Sequence, residues 1–212
     1  MSGNIWKEAV EHTRQKSTIL SSFGAMKDCI RKDDVHTLAH ILSHIHSSKK
    51  LDENTYQELM QTAAKSGALA CFECLEPYVA EESVYSDALN SAAEKGYLDM
   101  VKHISPLVGE YAQEEALCMA VLYNRVDVVD YLLPRCNPKN QSSKFLAAAA
   151  AEGHTELFEL LYPLSDPENA LIYLKRKFGH QPESWEALEQ RIVREKLLAA
   201  TPQDRTKKRS KI

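Results

Sequence analysis

The sequence predicts an all-α fold: a helical-repeat solenoid with helical caps and little or no β-hairpin structure. Two observations support this prediction. Residues 92–107, AAEKGYLDMVKHISPL, and residues 149–164, AAAEGHTELFELLYPL, share alanines, a glycine, spaced apolar residues and a proline. The pattern recurs in five copies, 28 to 34 residues apart, and such a period is typical of stacked two-helix units.

Composition excludes several classes of protein. The 212 residues are 44% hydrophobic and 26% charged, which is typical of a folded chain. A net charge of −4 disfavours nucleic acid as the main partner, because phosphate binding needs a concentrated basic face. No run approaches the roughly 20 apolar residues of a membrane span, and the N-terminus lacks the apolar core of a secretory signal. With five cysteines, an odd number that favours free thiols, these features predict a cytoplasmic protein.

Each copy is expected to fold as a helix, a tight turn and a second helix. Apolar residues lie seven positions before the turn residue, and small residues lie four before it. Apolar residues recur four, five and eight positions after it, which is helical spacing. Glycine suits a turn with positive φ, and asparagine is its commonest substitute. The five turn residues are Asp33, Gly67, Gly96, Asn124 and Gly153.

Prolines mark the end of the second helix. Ten residues after four of the five turn residues stand Pro77, Pro106, Pro134 and Pro163. Proline lacks the backbone donor that a helix interior needs and clashes with the preceding turn. We therefore expect each second helix to have about three turns or fewer.

Four segments follow from this register. They are an N-terminal capping helix, five repeats, C-terminal helices that form a degenerate repeat or a cap, and a basic disordered tail. Their bounds are residues 1–22, 23–166, 167–200 and 201–212.

The C-terminal part of the chain, outside the five repeats, has two further sequence features. In the C-terminal helices, Trp185, Leu188 and Ile192 fall on one face. The basic run Lys207–Lys211 resembles a nuclear import signal, and a solubilising tail is the alternative. Nucleic-acid contact through this tail is a further alternative, which predicts strongly salt-dependent binding.

The repeated pattern resembles the ankyrin repeats, whose core phrase has paired alanines, a Gly-His turn and a Val-Val-x-x-Leu-Leu helix. The resemblance covers about residues 23–166. One copy matches the phrase at Ala92, Ala93, Gly96, Tyr97, Met100, Val101 and Ile104, and another at Ala150, Gly153, His154, Leu157, Leu160 and Leu161. The family's Thr-Pro-Leu-His opening is replaced, and the copies are shorter than its usual length of about 33 residues. The resemblance therefore implies stunted β-hairpin fingers.

The resemblance also implies a function, which is binding of a protein partner on the concave face of the repeats. We expect an adaptor, an inhibitor or a host-directed effector, because the short, proline-ended copies are similar to those of bacterial ankyrin-repeat proteins. Family members usually contact partners through the inter-repeat turns and the two residues before the glycine. Carried over to this chain, those positions and one neighbour give Lys65, Ser66, Glu94, Lys95, Leu122, Tyr123, Arg125, Ala151 and Glu152.

Leu122 and Tyr123 differ from their equivalents in the other copies. They place apolar and aromatic area where other repeats carry charged or small side chains, and Arg125 follows closely. This composition is typical of an interface hot spot. The alternative is that Tyr123 packs onto the neighbouring turn.

Two clusters suggest chemistry. Cys71 and Cys74 form a CxxC pair, but they occupy register positions held by packing residues elsewhere and no second pair follows, so we expect buried thiols. His36, His40 and His44 lie at four-residue steps on one helix, a stripe able to contact a transition metal. The alternative function is therefore a metal-dependent or enzymatic regulator that uses this stripe or the C-terminal helices.

Signatures of catalysis are absent from the sequence. It contains no GxSxG, no HExxH, no P-loop and no glycine-rich dinucleotide fingerprint. We therefore expect no enzymatic activity, no cofactor and no small-molecule substrate.

Overall fold

The computed structural model describes residues 22–48, 51–136, 142–178 and 185–200. Within these ranges the regular elements are helices and no strand occurs, which confirms the all-α, helical-repeat prediction. The α-helices are α1 (22–31), α2 (Val35–Ser48), α3 (Glu53–Ser66), α4 (Leu69–Leu75), α5 (Glu82–Lys95), α6 (Leu98–Ile104), α7 (Glu110–Leu122), α8 (Val126–Leu132), α9 (Ser142–Ala151), α10 (Thr155–Leu161), α11 (Pro167–Phe178) and α12 (Glu186–Ala200).

The chain divides into two compact units, Met1–Ala116 and Leu117–Ile212. In each unit the first helices of neighbouring repeats pack side by side: α3 against α5 in the first unit, and α9 against α11 in the second. Three second helices pack on the first helix of their own repeat: α4 on α3, α6 on α5 and α10 on α9. This arrangement is the stacking expected of helical repeats.

The turn between the two helices has the same backbone in all five repeats. The turn residues have φ of 51°, 71°, 81°, 57° and 70° in chain order, so asparagine and aspartate adopt the left-handed conformation of the glycines. The residue after the turn donates its N–H to the carbonyl five positions before it, as in Ala68 N to Ala63 O at 3.0 Å and His154 N to Ala149 O at 2.9 Å. This is the Schellman C-cap.

The predicted register positions form the core. The residues seven before each turn are fully buried, and they are Met26, Met60, Leu89, Leu117 and Leu146. Four of the small residues four before the turn are also fully buried, namely Ala63, Ala92, Ala120 and Ala149. Alanine at this position leaves room for the neighbouring first helix while its carbonyl caps the turn.

The prolines end the second helices as predicted. α4, α6 and α10 are seven residues long, or about two turns, and a short 3-10 turn follows each one and contains Pro77, Pro106 or Pro163. Pro134 lies in the turn after α8. The first repeat has no such proline, and its second helix, α2, runs for 14 residues.

Asp33 explains why the first turn does not use glycine. Its Oδ1 accepts a hydrogen bond from the backbone N–H of Cys71, at 3.3 Å, in the first turn of α4. The residue at the start of α4, Ala68, has no side chain able to cap the helix. Asp33 therefore caps a helix of the next repeat, which glycine could not do.

The C-terminal helices pack against the repeats and against each other. α11 packs on α9 as a further first helix would, and α12 packs on α11. Leu188 and Ile192 are buried, as the sequence predicted, while Trp185 is only partly buried beneath the ammonium group of Lys175, 4.4 Å from the ring centre.

Some of the predicted segments lie outside the described residues. These are most of the N-terminal cap, residues 1–21, and the basic tail, residues 201–212. Among the helices that the structure describes, none combines the length and the apolar character needed to cross a membrane.

Candidate functional site

The partner-binding residues expected in the first unit lie at the ends of α3 and α5. Lys65 is exposed and Ser66 is half-buried, just before the turn at Gly67. Lys95 is exposed and pairs with the half-buried Glu94 at 2.9 Å. These side chains are polar, and no large apolar group accompanies them at these positions.

The equivalent positions in the second unit are different. Leu122 and Tyr123 remain 41% and 47% exposed at the end of α7. Ala151 is half-buried and Glu152 is exposed at the end of α9. Tyr123 therefore keeps about half of its surface open to solvent. We call these four residues the Leu122 surface.

His154 joins the two turns that carry the Leu122 surface. Its Nε2 lies 3.0 Å from the carbonyl oxygen of Leu122. A carbonyl oxygen only accepts, so Nε2 must carry the proton in this bond. The bond holds the end of α7 beside the turn at Gly153, and the surface therefore has a fixed backbone.

In two repeats the residue after the turn contacts the preceding repeat, a role that the sequence did not reveal. The Tyr97 ring lies on Gly67, where three of its carbons are 2.8 to 3.0 Å from the position a Cβ would occupy. His154 contacts Leu122 in the same sense. Arg125 occupies the corresponding position after Asn124 and is half-buried. The varied residue types at this position gave no periodic signal.

The cysteine pair is part of the packing between helices. Burial raises the pKa of the Cys71 thiol to about 12, with a further contribution from Asp33. Burial also raises the pKa of Cys74. A thiol that stays protonated at neutral pH is a poor nucleophile and a poor metal ligand, which supports the packing interpretation.

The histidine stripe is exposed on α2. His36, His40 and His44 all face solvent, and the rings of His40 and His44 meet edge to face with centroids 4.7 Å apart. Within the described ranges, no group of three or more histidine, cysteine or acidic residues could hold a metal ion. The structure therefore adds no further ligand to the stripe.

A C-terminal junction holds α12 to the last repeat. The Arg191 guanidinium stacks on the Tyr162 ring at 3.9 Å, pairs with Glu159, and lies 3.3 Å from Glu195. Tyr162 donates its hydroxyl to Glu195 at 2.9 Å. Burial is the main cause that raises the pKa of Tyr162 to about 12. We call Glu159, Tyr162, Arg191 and Glu195 the C-terminal junction.

Comparison with known protein families agrees with the geometry. Residues 89–170 match the family model for ankyrin repeats, over three copies. This region of the chain is similar to the ankyrin repeats. The matched region is less than half of the 212 residues, and it includes the ankyrin turns at Gly96, Asn124 and Gly153. No curated protein and no solved structure matched the chain at the significance required.

Proposed function

We propose that this ankyrin-repeat chain is a non-enzymatic interaction module that binds a protein partner through the Leu122 surface. Ankyrin repeats are generally protein–protein interaction modules. The observation that carries the proposal is the exposure of Leu122 and Tyr123 at positions where the first unit has only polar side chains. The specific role is that of an adaptor, an inhibitor or a host-directed effector.

The composition of the Leu122 surface suits a binding site. An aliphatic and an aromatic residue, Leu122 and Tyr123, are adjacent in the chain, and the exposed Glu152 occupies the corresponding position of the next repeat. Interface hot spots typically combine aromatic anchors with a polar rim. Removing these two apolar side chains from water on binding provides the main driving force.

The backbone beneath the surface is pre-organised. The Asn124 turn is closed by the bond from Arg125 N to Ala120 O at 2.8 Å, and His154 fixes the carbonyl of Leu122. A surface that is already ordered loses little conformational entropy on binding. We therefore expect the partner to meet a rigid site.

Affinity capture from cytosolic extracts, read by mass spectrometry, tests the proposal. The intact chain is compared with the double variant Leu122→Ala/Tyr123→Ala. The control is Leu197→Ala/Leu198→Ala, which removes two exposed apolar side chains from α12. Circular dichroism and thermal melting confirm that each variant is folded.

We expect one stoichiometric partner that the intact chain and the control capture and that the Leu122/Tyr123 variant loses. Retention of that partner by the Leu122/Tyr123 variant, or its loss from both variants, would show that the site is wrong.

Localisation is proposed to be cytoplasmic, with nuclear entry through the basic run Lys207–Lys211 as a separate expectation. This run lies outside the described residues. A fluorescent fusion of the chain, compared with a fusion that ends at residue 200, measures whether the run directs import.

A further inference from the structure

Two glycine turns of the chain share a backbone but differ in what covers them. Gly67 and Gly153 have φ of 71° and 70°. At Gly67 the Tyr97 ring of the next repeat lies directly against the glycine. At Gly153 a Cβ would meet no atom of the described residues within 4 Å. Within the described part of the chain, the second turn therefore has no aromatic cover like that of the first.

A cavity of about 320 Å³ lies beside the uncovered turn. One wall comes from the turn and its two helices, and the other from α12. The wall residues include Ala149, Ala150, Gly153, Phe158, Ala187 and Arg191. Cavities of about 150 Å³ already admit a benzene ring, so this space can hold an aromatic side chain.

We infer that this cavity, which we call the Gly153 pocket, receives an aromatic side chain of the protein partner, lying on Gly153 as Tyr97 lies on Gly67. The chain itself shows how this type of turn is covered, because the same backbone is closed by a tyrosine ring at Gly67. The identity of the occupant as a partner residue rests on the proposed function.

The walls favour an aromatic ring over an aliphatic group. Arg191 lines the pocket, and its guanidinium already stacks on Tyr162 at 3.9 Å and lies 5.3 Å from the centre of the Phe158 ring. Ion pairs with Glu159 and Glu195 hold the guanidinium in place. A held cation attracts the negative face of an aromatic ring and gives an aliphatic group no such energy.

The pocket is continuous with the Leu122 surface. His154 lines the pocket and also bonds the carbonyl of Leu122 at 3.0 Å, and Glu152 is the residue before Gly153. His154 therefore links the two features, and we expect a partner segment that covers Leu122 and Tyr123 to reach the pocket as well. The partner chemistry is a protein segment that presents a tyrosine, tryptophan or phenylalanine side chain.

The first test uses small probes and needs no partner. The ¹⁵N-labelled full chain is titrated with p-cresol, the tyrosine side-chain analogue, and with cyclohexanol as an aliphatic probe of similar size. We expect saturable shifts of the Gly153, His154 and Thr155 amides with a p-cresol Kd on the order of 1 mM. Cyclohexanol should bind at least about fivefold more weakly.

Variants place the probe in the pocket. Ala187→Trp fills the pocket from α12 and should abolish the p-cresol shifts, while Ala199→Trp, at an exposed position of the same helix outside the pocket, should leave them unchanged. Tyr97→Ala uncovers Gly67 and should create new p-cresol shifts at the Gly67 and Ala68 amides. In the unaltered chain those amides should not respond.

The outcomes separate the pocket from the partner. The pocket proposal would be wrong if p-cresol gave no saturable shifts, if cyclohexanol bound equally well, or if the shifts persisted in Ala187→Trp. None of these results would change the interpretation of the capture experiment. If p-cresol binds as expected but Ala187→Trp still captures the Leu122-dependent partner as well as Ala199→Trp does, the partner's aromatic side chain is not the occupant. Loss of at least about tenfold in partner affinity for Ala187→Trp alone supports both parts.

Discussion

The Gly67 turn and the C-terminal junction each join one pair of helices to the preceding pair, but the contacts differ. At Gly67 the Tyr97 ring fits against the glycine, and nearby His103 lies 2.9 Å from Glu76 and 3.6 Å from Glu73 of the preceding repeat. At the C-terminal junction the contacts are those of one arginine, Arg191, with rings and carboxylates.

The difference shows what a repeat register does for packing. Tyr97 occupies the position that follows every turn, so the space it fills is set by the repeat itself. α12 is a 15-residue helix outside that register, and long polar side chains connect it to α10. Long polar side chains can span the distance between two helices without filling the space between them. We attribute the Gly153 pocket to this type of contact.

The largest expected effect distinguishes the two glycine turns. Alanine in the left-handed region is strained by about 1–2 kcal/mol at either turn. Gly67→Ala also forces the Tyr97 ring to move, and overpacking adds about 1–3 kcal/mol. We expect urea denaturation to show a loss of about 2–5 kcal/mol for Gly67→Ala and about 1–2 kcal/mol for Gly153→Ala.

A double variant checks the cause of that difference. In a Tyr97→Ala background, Gly67→Ala should be no more destabilising than Gly153→Ala, because the ring that clashes is gone. Equal losses for the two glycines in the unaltered chain would contradict the packing argument.

The second prediction concerns the C-terminal junction. Arg191→Ala removes a stacked, ion-paired guanidinium that is partly exposed, so we expect a loss of about 1–2 kcal/mol. Arg191→Met keeps the aliphatic stem and should lose less. Hydrogen exchange should show reduced protection of the α12 amides. Adding salt to about 0.5 M should reduce the difference in the free energy of unfolding between the intact chain and Arg191→Met, because salt screens the ion pairs.

The third prediction tests the contact between Asp33 and α4. Asp33→Ala removes the cap and places alanine at φ of 51°, so we expect a loss of about 1–2 kcal/mol. Asp33→Gly relieves the backbone but lacks the acceptor, and Asp33→Asn keeps both features. Thermal melting should rank stability as Asn above Gly above Ala, and an alanine variant as stable as the asparagine variant would argue against the cap.

The smallest effect is a dependence on alkaline pH. Tyr162 has a folded pKa of about 12, above the value near 10 of an unfolded tyrosine. The unfolded chain therefore loses this proton first, and stability falls as pH rises from about 10 to 12. Tyr162→Phe should remove the part of this pH-dependent stability loss that comes from Tyr162. We expect that part to be less than about 1 kcal/mol near pH 10.5. Tyr56, whose pKa is also raised to about 12, remains in both chains, so the difference between their denaturation curves isolates Tyr162.

The parts of the fold that recur could be predicted from the sequence. Each repeat packs the same way, so Met60 and Leu89 are buried for the same reason and Gly67 and Asn124 turn in the same way. The missing proline in the first repeat likewise agrees with the long α2. Because the repeat recurs, one sequence gives several independent examples of which repeat positions are buried and which form the turn.

Contacts that occur once could not be predicted in this way. Nothing in the periodicity relates Asp33 to the N–H of Cys71, or Arg191 to Tyr162, because each pair joins segments by long-range geometry. The resemblance assigned Leu122 and Tyr123 to the positions just before the turn, but their exposure and the pocket beside Gly153 depend on how the surrounding side chains pack. Such gaps are properties of packing in three dimensions.

The packing of each first helix on the next also bears on how the chain folds. The turn residues of successive repeats are 28 to 34 positions apart, so contacts within each unit join segments that are close along the chain. Folding speed falls as contacts become more distant in sequence, and stacked repeats nucleate locally and propagate. During synthesis, a repeat in the interior of a unit needs only the next thirty or so residues to emerge before its first helix can pack, so assembly proceeds stepwise from the N-terminal end.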